Sequence, residues 1–195
     1  KAAYPEESNR DPELRAQAVR KGRDMNLILK AFLLMLPAYV SSPGAVFSRG
    51  KRPIDMGKRF FDGKRIMGDG KTFDGLALGT VLGFVAGVIV DLCTEENFYG
   101  SYLNAFLLSF GGLLGDMCNS FLKRRLGIGR GEKLPILDQL NLVFGAWFLC
   151  FVFDSGWFLE SFNWYVVITV LIMTPLLHRA ANMVAYRLGL KDVPW

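Results

Sequence analysis

The feature that most constrains this chain is the gathering of its apolar residues into long blocks. A helix needs about 20 mostly apolar residues to cross a bilayer. Five stretches reach or approach that length: 27–47, 73–92, 99–121, 134–153 and 162–177. Together they take about half of the 195 residues and leave no room for a separate soluble domain. A soluble domain can also be half apolar, as this chain is at 51%, but it spreads those residues in periodic stripes. The blocks exclude a disordered chain, a coiled coil and a disulfide-stapled secreted domain. The first block follows a polar tail and is too long for the core of a cleaved signal. The expected fold is an all-α integral membrane protein, a bundle of five transmembrane helices over residues 25–195. Residues 1–24 form a polar N-terminal segment, with 11–24 read as an amphipathic surface helix.

The charges then set the orientation. The loop 48–72 holds eight Lys/Arg, and the loop after the third block holds Lys123, Arg124, Arg125, Arg130 and Lys133. The tail adds Arg179, Arg187 and Lys191, whereas the other two loops carry only Asp91, Glu95, Glu96, Asp154 and Glu160. Basic residues concentrate on the cytoplasmic side. This predicts five crossings with both basic loops and the C-terminus in the cytoplasm and the N-terminus outside. The six Lys/Arg of the first 24 residues run against that assignment. The net charge of +5 needs no nucleic-acid partner, because anionic membrane lipids or a phosphate substrate account for it.

Two further features read first as packing. Gly75, Gly79, Gly83 and Gly87 form a smooth ridge on one helix face, which lets a neighbour approach closely. The alternative is a groove for a prenyl or acyl chain. Cys93, Cys118 and Cys150 show no metal-ligand spacing and are expected as free packing thiols. Pro37 and Pro43 are expected to bend the first span.

Three stretches carry chemistry. In Gly115-Asp116-Met117-Cys118-Asn119-Ser120-Phe121-Leu122-Lys123-Arg124, residues 116, 119, 120 and 123 fall at i, i+3, i+4 and i+7. One helix face therefore carries a carboxylate, an amide, a hydroxyl and an ammonium group. Snorkelling explains Lys123 and Arg124, but an acid two turns deeper is costly and marks a functional site. In Pro135-Ile136-Leu137-Asp138-Gln139-Leu140-Asn141, Asp138 opens the fourth span with Asn141 one turn deeper. Complementing the helix dipole is one role for Asp138. The other is half of a dicarboxylate with Asp116, suited to a Mg²⁺ ion that keeps its own waters and holds phosphates. The third stretch, Asp62-Gly63-Lys64-Arg65-Ile66-Met67-Gly68-Asp69-Gly70-Lys71-Thr72, is Gly-rich and basic and leads into the second span. Its backbone N–H groups and the following helix N-terminus suit phosphate. It is not a Walker motif, since the first glycine and the preceding strand are missing. His178, the one histidine, is either incidental or lines the site with Arg179 and Asn182.

Acids, many cations and Gly-rich backbone at one membrane face are equipment for phosphoryl or nucleotidyl transfer with a divalent metal. No Ser-His-Asp or Cys-His set is spelled out, which argues against acyl transfer.

Gly115-Asp116…Ser120-x-x-Lys123-Arg124…Pro135-x-x-Asp138 resembles the C-terminal signature of the phosphatidate cytidylyltransferase superfamily. The five spans, Asp62-Gly63-Lys64-Arg65…Gly68-Asp69…Lys71-Thr72…Gly75, Asp138-Gln139 and the ending Leu190-Lys191-Asp192-Val193-Pro194-Trp195 are similar to its archaeal CDP-archaeol synthase family. The chain lacks the His-Gly-Gly of the bacterial pattern and the Arg after its second acid. The resemblance implies an enzyme that transfers a cytidylyl group from CTP to 2,3-bis-O-geranylgeranylglycerol 1-phosphate, giving unsaturated CDP-archaeol and pyrophosphate. It implies catalytic roles for Asp116, Asp138 and Lys123, with Mg²⁺ on Asp116, Asp138 and Asp69. Lys64, Arg65, Gly68, Lys71, Thr72, Asn119, Ser120, Arg124 and Asn141 would bind substrate. The prenyl chains would lie between spans, and a homodimer is left open. The competing readings are a CTP-dependent polyprenol kinase of the same superfamily, a small transporter and a non-catalytic membrane scaffold.

Overall fold

A computed structural model describes residues 25–48, 50–94, 97–129, 132–134, 136–187 and 189. The expected surface helix at 11–24, Pro135 and the C-terminal stretch 190–195 lie outside the described residues. The elements among the described residues are all helices: α1 Leu27–Phe47, α2 Phe73–Thr94, α3 Tyr102–Arg125, α4 Leu137–Phe153, α5 Ser155–Ser161 and α6 Trp164–Arg187. Helices α1, α2, α3 and α6 are long and apolar enough to cross a membrane, and α4 is a shorter apolar helix of 17 residues. The fold is thus that of an integral membrane protein. The sequence blocks anticipated the helices to within a few residues, except that α6 runs ten residues past the end of its block. Hydropathy missed α5, a short turn capped by the Asp154 carboxylate, which accepts from Trp157 N at 3.2 Å.

Small residues hold the bundle together. A Cβ on Gly83 would stand 2.4 Å from the Pro37 carbonyl of α1, and one on Gly79 would stand 2.5 Å from that of Ser41. On Gly87 it would meet Ala105 of α3 at 2.8 Å. The ridge of α2 is therefore filled by α1 and α3. This corrects the prenyl-groove alternative: those four glycines are buried against protein and wall no open channel. The opposite face of α2, with Val81, Val85, Ile89 and Leu92, is exposed, as a lipid-facing helix requires. Glycines of α3 and α4 also interlock. A Cβ on Gly145 would stand 2.2 Å from Gly111 O, and one on Gly115 would stand 2.0 Å from Asn141 O. Cys150 is a core residue, but Cys93 and Cys118 are exposed, which corrects their expected packing role.

Pro37 lacks an N–H, so the Leu33 carbonyl four residues earlier loses its helical partner. The buried Tyr99 hydroxyl donates to that carbonyl at 2.5 Å. At the same end, Asn104 Nδ2 donates to Asp154 Oδ2 at 2.9 Å. Helix α1, the N-terminus of α3 and the α4–α5 junction are thereby joined. The two basic loops meet at the other end.

Candidate active site

The loop before α2 is folded rather than loose. Ile54 N donates to Lys71 O at 2.8 Å and Phe73 N to Arg52 O at 3.1 Å, so its two ends pair. A tighter hairpin closes inside it, with Phe60 N donating to Lys64 O at 2.8 Å. Thr72 accepts from Gly75 N at 3.1 Å and caps α2. That is where the structure puts Thr72: buried at the helix start and outside the cleft.

Arg125 clamps this loop to α3. It lies over the rings of Phe60 and Phe121 at 4.8 and 4.9 Å, pairs with Asp62, and donates to the Arg65 carbonyl. Lys64 Nζ is spent on the Arg125 carbonyl at 3.0 Å and does not line the cleft. Arg124 reaches across to Met67 O at 3.3 Å and to Ile128 O at 2.6 Å.

These contacts frame a cleft of about 410 Å³ between the loop, the last turns of α3 and the start of α4. Its walls include Arg65, Gly68, Asp69, Lys71, Asp116, Asn119, Ser120, Lys123, Arg124 and Asp138. Ten of the thirteen residues expected at the site therefore come together; Lys64, Thr72 and Asn141 do not. Asn141 instead supplies the backbone carbonyl against which Gly115 packs. His178 also lies off the cleft, with Nδ1 3.2 Å from Asn182 Nδ2.

Each deep acid meets a lysine. Asp116 pairs with Lys71 of the loop. Asp138 takes Lys123 Nζ at 3.0 and 3.1 Å, Asn119 Nδ2 at 2.7 Å and Leu134 N at 2.7 Å. Asp138 thus both satisfies a backbone donor before α4 and ties α4 to α3. Asn119 is buried, and its Oδ1 has no partner among the described residues. The Ser120 hydroxyl bonds back to the Asp116 carbonyl at 3.0 Å.

The sequence reading missed Asp55. Its carboxylate is fully buried, 0% exposed, and accepts from Arg65 Nη2 at 2.8 Å and Nε at 3.2 Å. It also accepts from Gly68 N at 2.8 Å, Met67 N at 3.0 Å and Gly57 N at 3.1 Å. Burial opposes its charge, but the Arg65 guanidinium and the three N–H groups outweigh that and hold the carboxyl below the ordinary range. The glycine-loop expectation needs correction here. The N–H groups of Met67 and Gly68 serve this internal carboxylate, so Gly68 meets the cleft without offering its own N–H. Asp55-Met56-Gly57 carried one available signal, an acid followed by a turn glycine.

Oxygen donors from two helices, flanked by cations, thus line a cleft at one end of the apolar bundle of a membrane protein. Residues 24–195 match the family described as CarS-like, CDP-archaeol synthase. The chain is 45% identical to the CDP-archaeol synthase of Methanosarcina acetivorans, over 83% of this chain and all of that one. It is 42% identical to that of Methanoculleus marisnigri with the same coverage. A solved structure described as an intramembrane enzyme for archaeal membrane lipids biosynthesis superposes with a TM-score of 0.69 at 38% identity. That match covers 80% of this chain and 94% of the other. The chain belongs to the CDP-archaeol synthase family.

Proposed function

We propose that this cleft is where CTP meets the lipid phosphate, with Asp116 and Asp138 as the paired acids of the reaction. The activity is that of the family: CTP-dependent transfer of a cytidylyl group to 2,3-bis-O-geranylgeranylglycerol 1-phosphate, releasing pyrophosphate. One observation carries the site assignment. Asp116 and Asp138 come from different helices, line one cleft, and each is neutralised by a lysine.

The donor set fits Mg²⁺. Asp116, Asp138 and the unpartnered Asn119 Oδ1 are hard oxygens, and Asp69 stands on the facing rim. No group of three or more His, Cys, Asp or Glu clusters for a metal among the described residues. An ion held here would keep waters and complete its shell with phosphate, as Mg²⁺ prefers. Charge counting supports it. Arg65, Lys71, Lys123 and Arg124 face Asp69, Asp116 and Asp138, which leaves little net charge to meet a triphosphate. Bound Mg²⁺ would supply positive charge to the phosphate oxygens. Lys71 and Lys123, released from the two acids, then bind the β- and γ-phosphates and the leaving pyrophosphate. Arg65 and Arg124 hold the triphosphate from the loop side, and Ser120 lies beside the phosphates.

The nucleophile needs no general base. A phosphate monoester has a second pKa of about 6 and is largely ionised at neutral pH. One of its oxygens attacks the α-phosphorus of CTP in line; the new P–O bond forms as the bond to the β-phosphate oxygen breaks. This accounts for a cleft lined by lysines, arginines and acids without histidine.

For the topology we place five crossings, with α4 as the shortest, and the cleft at the cytoplasmic face. Among the described residues, α1, α2, α3 and α4 each have an end at the two basic loops, which supports this under the positive-inside rule. The N-terminus would then lie outside.

The assay is pyrophosphate release from CTP, lipid phosphate and Mg²⁺ in detergent. Asp116→Asn and Asp138→Asn should each lose at least about 100-fold in kcat, and chelation should silence the wild type until Mg²⁺ is restored. Near-wild-type rates in both variants would sink the assignment. Release of CDP in place of pyrophosphate would point to a kinase.

A further inference from the structure

Asp55 is buried behind the cleft wall: it does not line the cleft but bonds to Arg65, Met67 and Gly68, which do. Its environment is nevertheless built at a cost. To bring it there the chain places Met56 at φ 46° and Gly57 at φ 79°, and a left-handed conformation is unfavourable for a residue with a Cβ. The turn is tied by Lys58 N to the Asp55 carbonyl at 2.7 Å. Both carboxylate oxygens are then fully used, on one guanidinium and three backbone N–H groups.

The guanidinium matters most. Asp55 takes Nε and Nη2 of Arg65, and Nη2 also meets Asp69 Oδ1 at 2.7 Å. Nη1 is left with no partner among the described residues, and Arg65 lines the cleft. A planar fork gripped on one side is fixed in direction on the other. The same carboxylate pins Met67 and Gly68, and Gly68 O accepts from Lys71 N at 3.4 Å. Lys71 is the cation that reaches Asp116.

We infer that Asp55 is a positioning residue for CTP: it orients Arg65, and through the 67–71 turn Lys71, toward the triphosphate. The inference rests on the reading of Arg65 as a triphosphate ligand. A positioning role separates the two substrates. It governs the nucleotide bound by the loop and not the lipid phosphate brought by the bundle. A merely structural acid would weaken both together.

The experiment is steady-state kinetics in detergent on Asp55→Asn, Arg65→Gln, Arg65→Lys and the Asp55→Asn/Arg65→Gln double variant, with thermal unfolding in parallel. Asp55→Asn keeps the size but removes the charge and turns one acceptor into a donor facing N–H groups. It should raise the KM for CTP about tenfold and leave the KM for the lipid phosphate within about twofold. Arg65→Lys keeps the cation but not the fork, and should do the same. The double variant should fall short of the product of its two single effects, because the residues act as a unit. A CTP KM unchanged in folded Asp55→Asn, equal changes for both substrates, or a fully multiplicative double variant overturns the inference. If Asp55→Asn does not fold, Arg65→Lys decides it, and an unchanged CTP KM there is the overturning result. An unchanged CTP KM in Arg65→Gln instead removes Arg65 from the site, a failure distinct from that of Asp55.

Discussion

Adding one methyl group at Gly115 should separate the two acids of the cleft. A Cβ there would stand 2.0 Å from the Asn141 carbonyl oxygen, where ordinary contact begins at 3.4 Å. Helices α3 and α4 must therefore part by about 1.4 Å at this level. No side chain can give way, because the nearest atoms are the Asn141 carbonyl and the Gly145 Cα, all backbone. Asp116 is the next residue on α3, and Asp138 lies one turn before Asn141 on α4. A displacement near 1 Å in a catalytic constellation costs about 100-fold in rate, and overpacking costs about 1–3 kcal/mol in stability. Gly115→Ala should thus lose about 100-fold in kcat for pyrophosphate release while still unfolding cooperatively in detergent. Gly112→Ala is the control, because the atoms nearest its Cβ would be those of Ala38 and Ser41 of α1, none closer than 3.2 Å and none of them on α4. It should keep most of the activity. A kcat for Gly115→Ala within about threefold of wild type would refute the argument that glycine packing sets the distance between the acids.

Three further outcomes follow from the same contacts. Thr72→Val should cost about 1 kcal/mol in thermal stability through the lost cap of α2 and leave the KM for CTP unchanged; a large rise in that KM would return Thr72 to the substrate site. Tyr99→Phe should destabilise by about 1–2 kcal/mol, since the Leu33 carbonyl freed by Pro37 would lose its donor, with kcat unaffected at the far end of the bundle. The depressed pKa of Asp55 fixes a sign: its contribution is complete above the unfolded value near ~4 and is lost as pH falls through the lower folded value. Thermal melts should therefore be insensitive to Asp55 ionisation between about pH 5 and 7. The acid-side loss of stability should be shallower in Asp55→Asn, and identical slopes would contradict it.

Membrane insertion, the helix positions and most of the cleft residues were legible in the sequence. Bilayer thickness sets a length that apolar blocks either meet or miss, and the cost of an intramembrane acid singles out Asp116 without any coordinates. The i, i+3, i+4, i+7 spacing put Asp116, Asn119, Ser120 and Lys123 on one face because helix geometry is local. Tertiary structure alone decided who meets whom. Lys71 reaches Asp116 and Lys64 does not, since hairpin closure turns Lys64 toward the Arg125 carbonyl. Thr72 caps a helix, Asn141 lends a carbonyl to packing, and the glycine ridge of α2 is filled by its neighbours. Asp55 went unread because an acid in a basic loop looks solvated until the fold buries it among donors from residues 57, 65, 67 and 68. Periodicity and hydropathy describe how one segment meets its solvent. The partner of a side chain ten or more residues away depends on how the chain closes, and that was settled only in three dimensions.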